Sequence, residues 1–172
     1  MELFTRSFIP EWDRVVYLCV ENCAGVSEHI ADRDMYKIMI VDRGTVTVDN
    51  GGNKKTVTAP AFVLIPDEEV SCTAGKDLHT TTIFFKPTEV RDEFTPERIR
   101  SGEFEEENGK TIHQDYLLVR SFERTPQDTN RVVALDLGAY HKIVGIVERM
   151  NEQLQKQPDG YWPCRSRSYL ME

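Results

Sequence analysis

The chain has 172 residues, of which 40% are hydrophobic, and this is enough for one substantial domain with an appendage. Its formal net charge of -8 argues against nucleic acid as a direct partner, because binding to phosphates needs clustered lysine and arginine side chains. No apolar run approaches the roughly 20 residues of a membrane-spanning helix and the first residues carry no signal pattern, so we expect a cytoplasmic protein without a membrane partner.

The first half of the chain predicts a small all-β structure. Residues 14–20 are rich in β-branched and aromatic side chains and predict the first strand, whereas residues 21–33 predict a loop or a weak edge segment. Further strands are expected at residues 36–41, 45–48, 54–57, 61–65, 70–74 and 78–86. About seven short strands with Gly or Pro turns indicate a small barrel or sandwich. The four cysteines form no CxxC pair, so we expect them to be reduced and structural.

After Pro87 the periodicity changes. Thr95 and Pro96 have the residue types of a helix N-cap and first position, which predicts one or two helical turns over residues 96–100. Residues 103–109 predict a solvated acidic loop. The apolar run at residues 116–122 fits a strand or a helix equally well.

From residue 130 the pattern predicts one long helix that ends at residue 157, before Pro158 and Gly160. Its apolar residues recur at alternating steps of four and three, which is the pattern of a coiled coil. We therefore predict that the helix forms a homodimer through Val133, Leu137, Tyr140, Val144, Val147, Asn151 and Leu154. A second apolar stripe lies beside this one. One side of the helix should therefore pack on the β-structure, and the other on a second helix, either one that starts near Pro163 or its counterpart in another subunit.

The final residues, Tyr169 to Met171, begin an apolar helical face that then stops. This indicates a cut through a helix, and we expect the chain to be the front part of a longer protein.

The order of four segments resembles the N-terminal sensing domain of AraC/XylS-type transcription regulators. They are YKIMIVDRGTVTVDNGG, APAFVLIP, TTTIFFKP and, after the long helix, WPCRSRSYLME, and the similarity spans most of residues 10–172. The resemblance implies a mainly β fold with a C-terminal α part, namely a cupin-like double-stranded β-helix that binds a small effector, followed by a helical dimerisation segment. It divides the chain into an effector domain at 1–94, a connecting segment at 95–129 and the helical segment at 130–172. DNA would be read by helix-turn-helix motifs, which this chain does not contain.

The residues do not match the metal ligands of cupin enzymes. With Gly44 as the anchor of the first cupin motif, Lys37 stands at the glutamate position, and either Ala31 and Arg33 or Ile30 and Asp32 stand at the histidine positions. In the second motif, Ser71, or Val70 with a spacing one residue shorter, falls where the third histidine is expected. Because a divalent metal needs converging imidazoles and a carboxylate, we expect no metal, no cofactor and no enzymatic activity.

The residue that replaces the glutamate suggests a different ligand. In the cupin register Lys37 points into the barrel on the same side as Met39 and Val41, and Arg33 reaches its mouth. Cations in an apolar cup bind a carboxylate or phosphate well, so we predict that these four residues bind an effector with an acidic group.

Two alternatives remain open at this point. Lys37 either faces solvent or pairs with an internal acid such as Asp42 or Glu69, in which case it binds no effector. The second alternative concerns the whole chain, which would be a metal-free cupin-like enzyme of the isomerase or epimerase type, with His29 or His79 as the base, or a stand-alone small-molecule binding protein.

Overall fold

The structure, a computed structural model, describes residues 3–67, 70–105, 111–123 and 131–172. Its strands are β1 (Thr5–Arg6), β2 (Val15–Val16), β3 (Leu18–Cys23), β4 (Tyr36–Arg43), β5 (Thr45–Asn50), β6 (Asn53–Thr58), β7 (Ala61–Ile65), β8 (Ser71–Ala74), β9 (His79–Phe85) and β10 (Val132–Ala134). Its α-helices are α1 (Pro96–Arg100), α2 (Thr111–Arg120), α3 (Leu137–Lys156) and α4 (Trp162–Met171). Short 3-10 turns lie at Pro10–Trp12, Glu28–Ala31 and Pro87–Glu89.

Most strands belong to two antiparallel sheets that pack face to face. The larger sheet has the order β10-β7-β4-β9-β3 and the smaller one has the order β6-β5-β8, while β1 and β2 form a separate pair. Among the described residues, no ladder joins the two large sheets. The protein is therefore rich in β-sheet with helices at the C-terminal end, as predicted, and its described strands form a sandwich without a closed barrel.

Strand β4 lies in the middle of the five-stranded sheet and separates two hydrophobic cores. Met39 and Val41 face the smaller sheet and contact residues such as Val46 and Val57. Tyr36 and Ile40 point to the opposite side, where they belong to the core that the helices cover. The run of apolar residues on both strand faces predicted this interior position, because such a strand is stable only when both faces are covered.

The hairpin between β5 and β6 has the turn that the sequence indicates. Asn50 pairs with Asn53, which leaves Gly51 and Gly52 as the loop, with φ values of 60° and 92°. The Asp49 carboxylate accepts a hydrogen bond of 2.8 Å from the Gly52 amide. Glycine adopts positive φ without a steric penalty, so this loop favours a tight connection.

The long helix is shorter than the periodicity predicts, and this is a correction. Helix α3 begins at Leu137, whereas Val133 lies in β10 and pairs with Phe62 of β7. The Asp136 carboxylate caps the helix by accepting a hydrogen bond of 2.8 Å from the Ala139 amide. The heptad pattern cannot distinguish these cases, because an apolar residue that fits one helix position also fits an open sheet edge. The predicted start at Asn130 lies outside the described residues.

The other helices agree with the sequence signals. Thr95 caps α1 through the Arg98 amide at 3.4 Å, and α4 begins one residue before Pro163. The unassigned run at residues 116–122 falls largely in α2, and the end of the predicted acidic loop, residues 106–109, lies outside the described residues. Within the part of the chain that the structure describes, every helix is too short or too polar to cross a bilayer.

Substitution of Gly44 tests the connection between the two sheets. Gly44 has a φ of 78°, and an added Cβ would lie 2.4 Å from the Lys76 carbonyl oxygen. Gly51 has a φ of 60° but open space around it. We expect Gly51→Ala to lower the free energy of unfolding by about 1 kcal/mol, and Gly44→Ala to lower it by about 2 kcal/mol more because it also creates a clash. Urea denaturation measures both, and equal midpoints for the two variants would contradict the close approach.

Candidate functional site

Lys37 lies on the inner side of β4 and has no exposed surface. Its ammonium group donates hydrogen bonds to the backbone carbonyls of Asp32 and Pro66, the second at 3.4 Å. The interpretation in which Lys37 faces solvent is therefore wrong. A pairing with Asp42 is wrong as well, because that carboxylate accepts hydrogen bonds from Thr81 and Tyr140 on the other side of the sheet. Glu69 lies outside the described residues.

Burial dominates the proton affinity of this amine. Desolvation lowers the pKa of Lys37 from 10.5 to about 8, against the opposing effect of the Asp32 and Asp67 carboxylates. Burial also raises the pKa of the nearby Cys72 thiol to about 11, so that thiol remains neutral at pH 7. Lys37 is therefore a cation whose hydrogen bonds go to neutral carbonyls, and it loses its proton in weakly alkaline solution.

The remaining predicted effector residues occupy two different environments. Met39 and Val41 are fully buried on the same inner side as Lys37, and the valines of the smaller sheet fill the space opposite them. Arg33 is exposed in the segment that leads into β4. The structure thus brings three of the four residues to one side of β4, but packs side chains where an open cup was expected. Their role in binding an effector stays a prediction.

A cavity of about 380 Å³ lies nearby, between the β5–β6 hairpin and strands β7 and β10. We call it the edge cavity. Its floor is apolar and consists largely of buried residues, namely Val48, Val63, Ile65 and Val70, with Val132 at one side. Its rim is polar and basic, with Asn50, Asn53, Lys54, Lys55 and Arg131. This size is within the range of small-ligand sites, which typically span about 300–1,000 Å³.

The register of the hairpin explains this combination of floor and rim. Lys55 pairs directly with Val48, and Asn53 pairs with Asn50. Because paired residues point to the same side of a sheet, Lys55 and both asparagines lie on the inner side, beyond the buried valines. Lys54 lies on the outer side, 3.8 Å from the Asp49 carboxylate. The sequence signal for this site is the polar end of an otherwise alternating strand, at residues 49–55.

The residues predicted for dimerisation divide into two groups. Val147 and Leu154 are buried in the core between the helices and the sheet, so this half of the stripe serves the fold of the chain itself. Leu137 is 67% exposed at the start of α3, and Val133 is 37% exposed on β10. Between the two groups, Tyr140, Val144 and Asn151 are partly exposed.

The histidines of the enzyme interpretation lie in separate environments. The Nδ1 atom of His29 is 2.9 Å from an Asp32 carboxylate oxygen, and its Nε2 atom is 3.6 Å from a Glu28 carboxylate oxygen. His79 is exposed at the start of β9. Across the described ranges, the His, Cys, Asp and Glu side chains form no group of three suited to a metal ion.

No protein-family model matches the chain, and no curated protein matches it. Solved structures with some similarity include a cupin 2 conserved barrel domain protein from Salinispora arenicola CNS-205, with 20% identity, a TM-score of 0.31, and coverage of 40% of this chain and 60% of that one. They also include an apo variant of ToxT from Vibrio cholerae strain SCE256, with 13% identity, a TM-score of 0.49, and coverage of 89% of this chain and 52% of that one. Because both TM-scores are below 0.5, neither similarity supports an argument about function.

The buried Lys37 amine predicts a specific dependence of stability on pH. Between pH 8 and pH 10.5 the unfolded chain holds this proton and the folded chain does not, so stability rises with pH. We expect the free energy of unfolding of the wild type to rise by about 3 kcal/mol relative to Lys37→Met over this range, at about 1.4 kcal/mol per pH unit.

Urea denaturation at a series of pH values measures the difference. Substitution of the exposed Lys76 by Met is the control and should leave the pH dependence unchanged. Parallel curves for the wild type and Lys37→Met would contradict the buried, carbonyl-capped amine.

Proposed function

We propose that this chain is the ligand-sensing and dimerisation domain of an AraC/XylS-type transcription regulator with a cupin-like fold, and that it binds a small effector against its β-structure. In this proposal the domain acts together with a helix-turn-helix domain that reads DNA. The observation that carries it is the edge cavity, in which an apolar floor of valine and isoleucine side chains adjoins a rim with the basic residues Lys55 and Arg131.

The charge of the rim favours an effector with an acidic group. The chain has a net charge of -8, so basic side chains around one cavity run against its overall charge and favour an anion there. Lys55 lies on the inner side of the hairpin, and Asn50 and Asn53 beside it offer amide donors. The valine floor suits an apolar body. The best ligand class is therefore a small carboxylate with an aliphatic or aromatic part.

The same cavity adjoins the start of the long helix. Val132 lines the cavity in β10, and the Leu135 amide then donates a hydrogen bond of 2.9 Å to the Pro60 carbonyl. Helix α3 begins two residues later. An effector that contacts β10 would therefore favour one position of this connection and of α3, which would shift the equilibrium between dimer geometries.

We propose that the dimer forms through the exposed beginning of this helical segment. Leu137 and Val133 are large apolar side chains that the fold leaves exposed. In contrast, Val147 and Leu154 are already buried within the chain, so they act as core residues. The dimer interface would then lie close to the edge cavity. In this proposal the effector contacts β10 at Val132, and the partner subunit contacts the chain near Val133 and Leu137.

Paired ligands test the predicted anion site. We expect straight-chain carboxylates, from acetate to decanoate, to raise the melting temperature more than the corresponding amides do. Lys55→Ala should reduce carboxylate affinity about tenfold, since it removes one charge-assisted hydrogen bond. Lys76→Ala removes an exposed lysine outside the cavity and should bind like the wild type. Equal shifts for carboxylates and amides with the wild type would exclude the anion site.

Sedimentation velocity tests the proposed dimer. We expect the wild type to associate in a concentration-dependent manner and Leu137→Asp to weaken the association at least about tenfold, because a buried charge opposes an apolar contact. Leu117→Asp changes a leucine of α2 that is 51% exposed and serves as the matched control. If both variants, or neither, lower the association, the contact does not lie at the start of α3.

A further inference from the structure

The helix-covered side of the five-stranded sheet contains a second cavity, and it is separate from the edge cavity. It has a volume of about 380 Å³, and we call it the helix cavity. Its floor includes Ile38 of β4 and Leu64 of β7, which pair directly with each other. Both side chains are only partly buried, although β4 is paired on both edges. The middle of a central strand is thus left uncovered on a side where Tyr36 and Ile40 are fully buried.

The walls of the helix cavity enclose it from several directions. Helix α2 contributes Leu118, helix α3 contributes Ile143 and Met150, and the last turn of α4 contributes Tyr169 and Leu170. A sheet floor with three helical walls makes a concave space whose volume is in the range of small-ligand sites. A flat apolar face would instead suit a second protein surface.

The chemistry of the lining excludes a charged ligand. Of the polar side chains that line the cavity, the Ser121 hydroxyl already donates a hydrogen bond of 2.6 Å to the Leu118 carbonyl. Glu172 contributes an acidic group and lies 3.8 Å from the Arg149 guanidinium. The described lining contains no basic side chain, and its one carboxylate would repel an anion. A cation is not favoured either, because the Glu172 carboxylate is already paired with Arg149, so the complementary ligand is uncharged and apolar.

We propose that the helix cavity binds a small uncharged apolar molecule, and that its occupancy fixes the last turn of α4 against the sheet. This second site goes beyond the anion site proposed above and does not depend on it. The start and the middle of α4 are already anchored: Trp162 is fully buried, and Arg167 donates a hydrogen bond of 2.7 Å to the Glu89 carboxylate. Only the last turn borders the cavity, so a ligand would complete its packing.

The same apolar chain with different head groups separates the two sites. We expect 1-octanol to raise the melting temperature of the wild type and to slow amide hydrogen exchange at residues 168–172 several-fold. Ile38→Trp fills the cavity and should lower the affinity for 1-octanol at least tenfold. Lys55→Ala should bind 1-octanol like the wild type, because it changes only the edge cavity.

A second variant keeps the test decisive if Ile38→Trp fails to fold. Ile38→Ala enlarges the cavity and should improve the binding of 1-decanol relative to 1-octanol. The proposal is overturned if 1-octanol leaves exchange in α4 unchanged, if the filled variant binds as the wild type does, or if octanoate protects α4 equally well. It is also overturned if 1-octanol acts only by promoting self-association, which sedimentation would reveal as a concentration-dependent change.

Discussion

The structure depends on one strand whose two faces both need cover. Strand β4 is paired on both edges and carries apolar residues in both directions, so a layer must pack on each face of the sheet. The smaller sheet covers one face through valines such as Val46 and Val57, and the helices cover the other around Trp162. The two cavities lie between the central sheet and these two layers.

Lys37 is the exception within this apolar strand. A buried ammonium group is unfavourable unless its hydrogen bonds are satisfied, and here the carbonyls of Asp32 and Pro66 satisfy part of that requirement. Those carbonyls belong to the segments that enter β4 and leave β7. Lys37 thus connects two loops at one end of the sandwich, at the expense of a lowered pKa. This arrangement gives the Lys37 ammonium group a structural role, because it holds the two loops together.

Strand β7 links the two proposed sites. Its inner residues Val63 and Ile65 belong to the floor of the edge cavity, and Phe62 and Leu64 on its other face line the helix cavity. Its outer edge is covered by β10, which leads into α3. A ligand on either face of β7 therefore contacts a strand that pairs with β10, and β10 is separated from α3 by only two residues. Because β7 contacts both the edge cavity and the helix cavity, this strand alone could couple the two sites.

The order of strands and their turns was determined by local sequence. The continuous apolar run of β4, the apolar alternation of β5, the Gly51-Gly52 loop, the Thr95 cap and the break after Gln157 act over a few residues, so they could be predicted from the chain alone. That Lys37, Met39 and Val41 share one side of β4 was also predictable, because side chains alternate strictly along a strand, whereas the expectation that this side faces inward came from the cupin resemblance. Only the tertiary structure decided three further points.

The first is where the residues of the heptad stripe pack: Val133 pairs with the edge of β7, while Val147 and Leu154 lie in the core. The second is that valines of the smaller sheet pack against Met39. The edge cavity therefore lies at the hairpin end of the sandwich, beside Lys55. The third is the helix cavity, formed by α2, α3 and α4 together. Each of these depends on packing between segments far apart in the chain, and periodicity shows that a residue needs burial without showing which partner buries it.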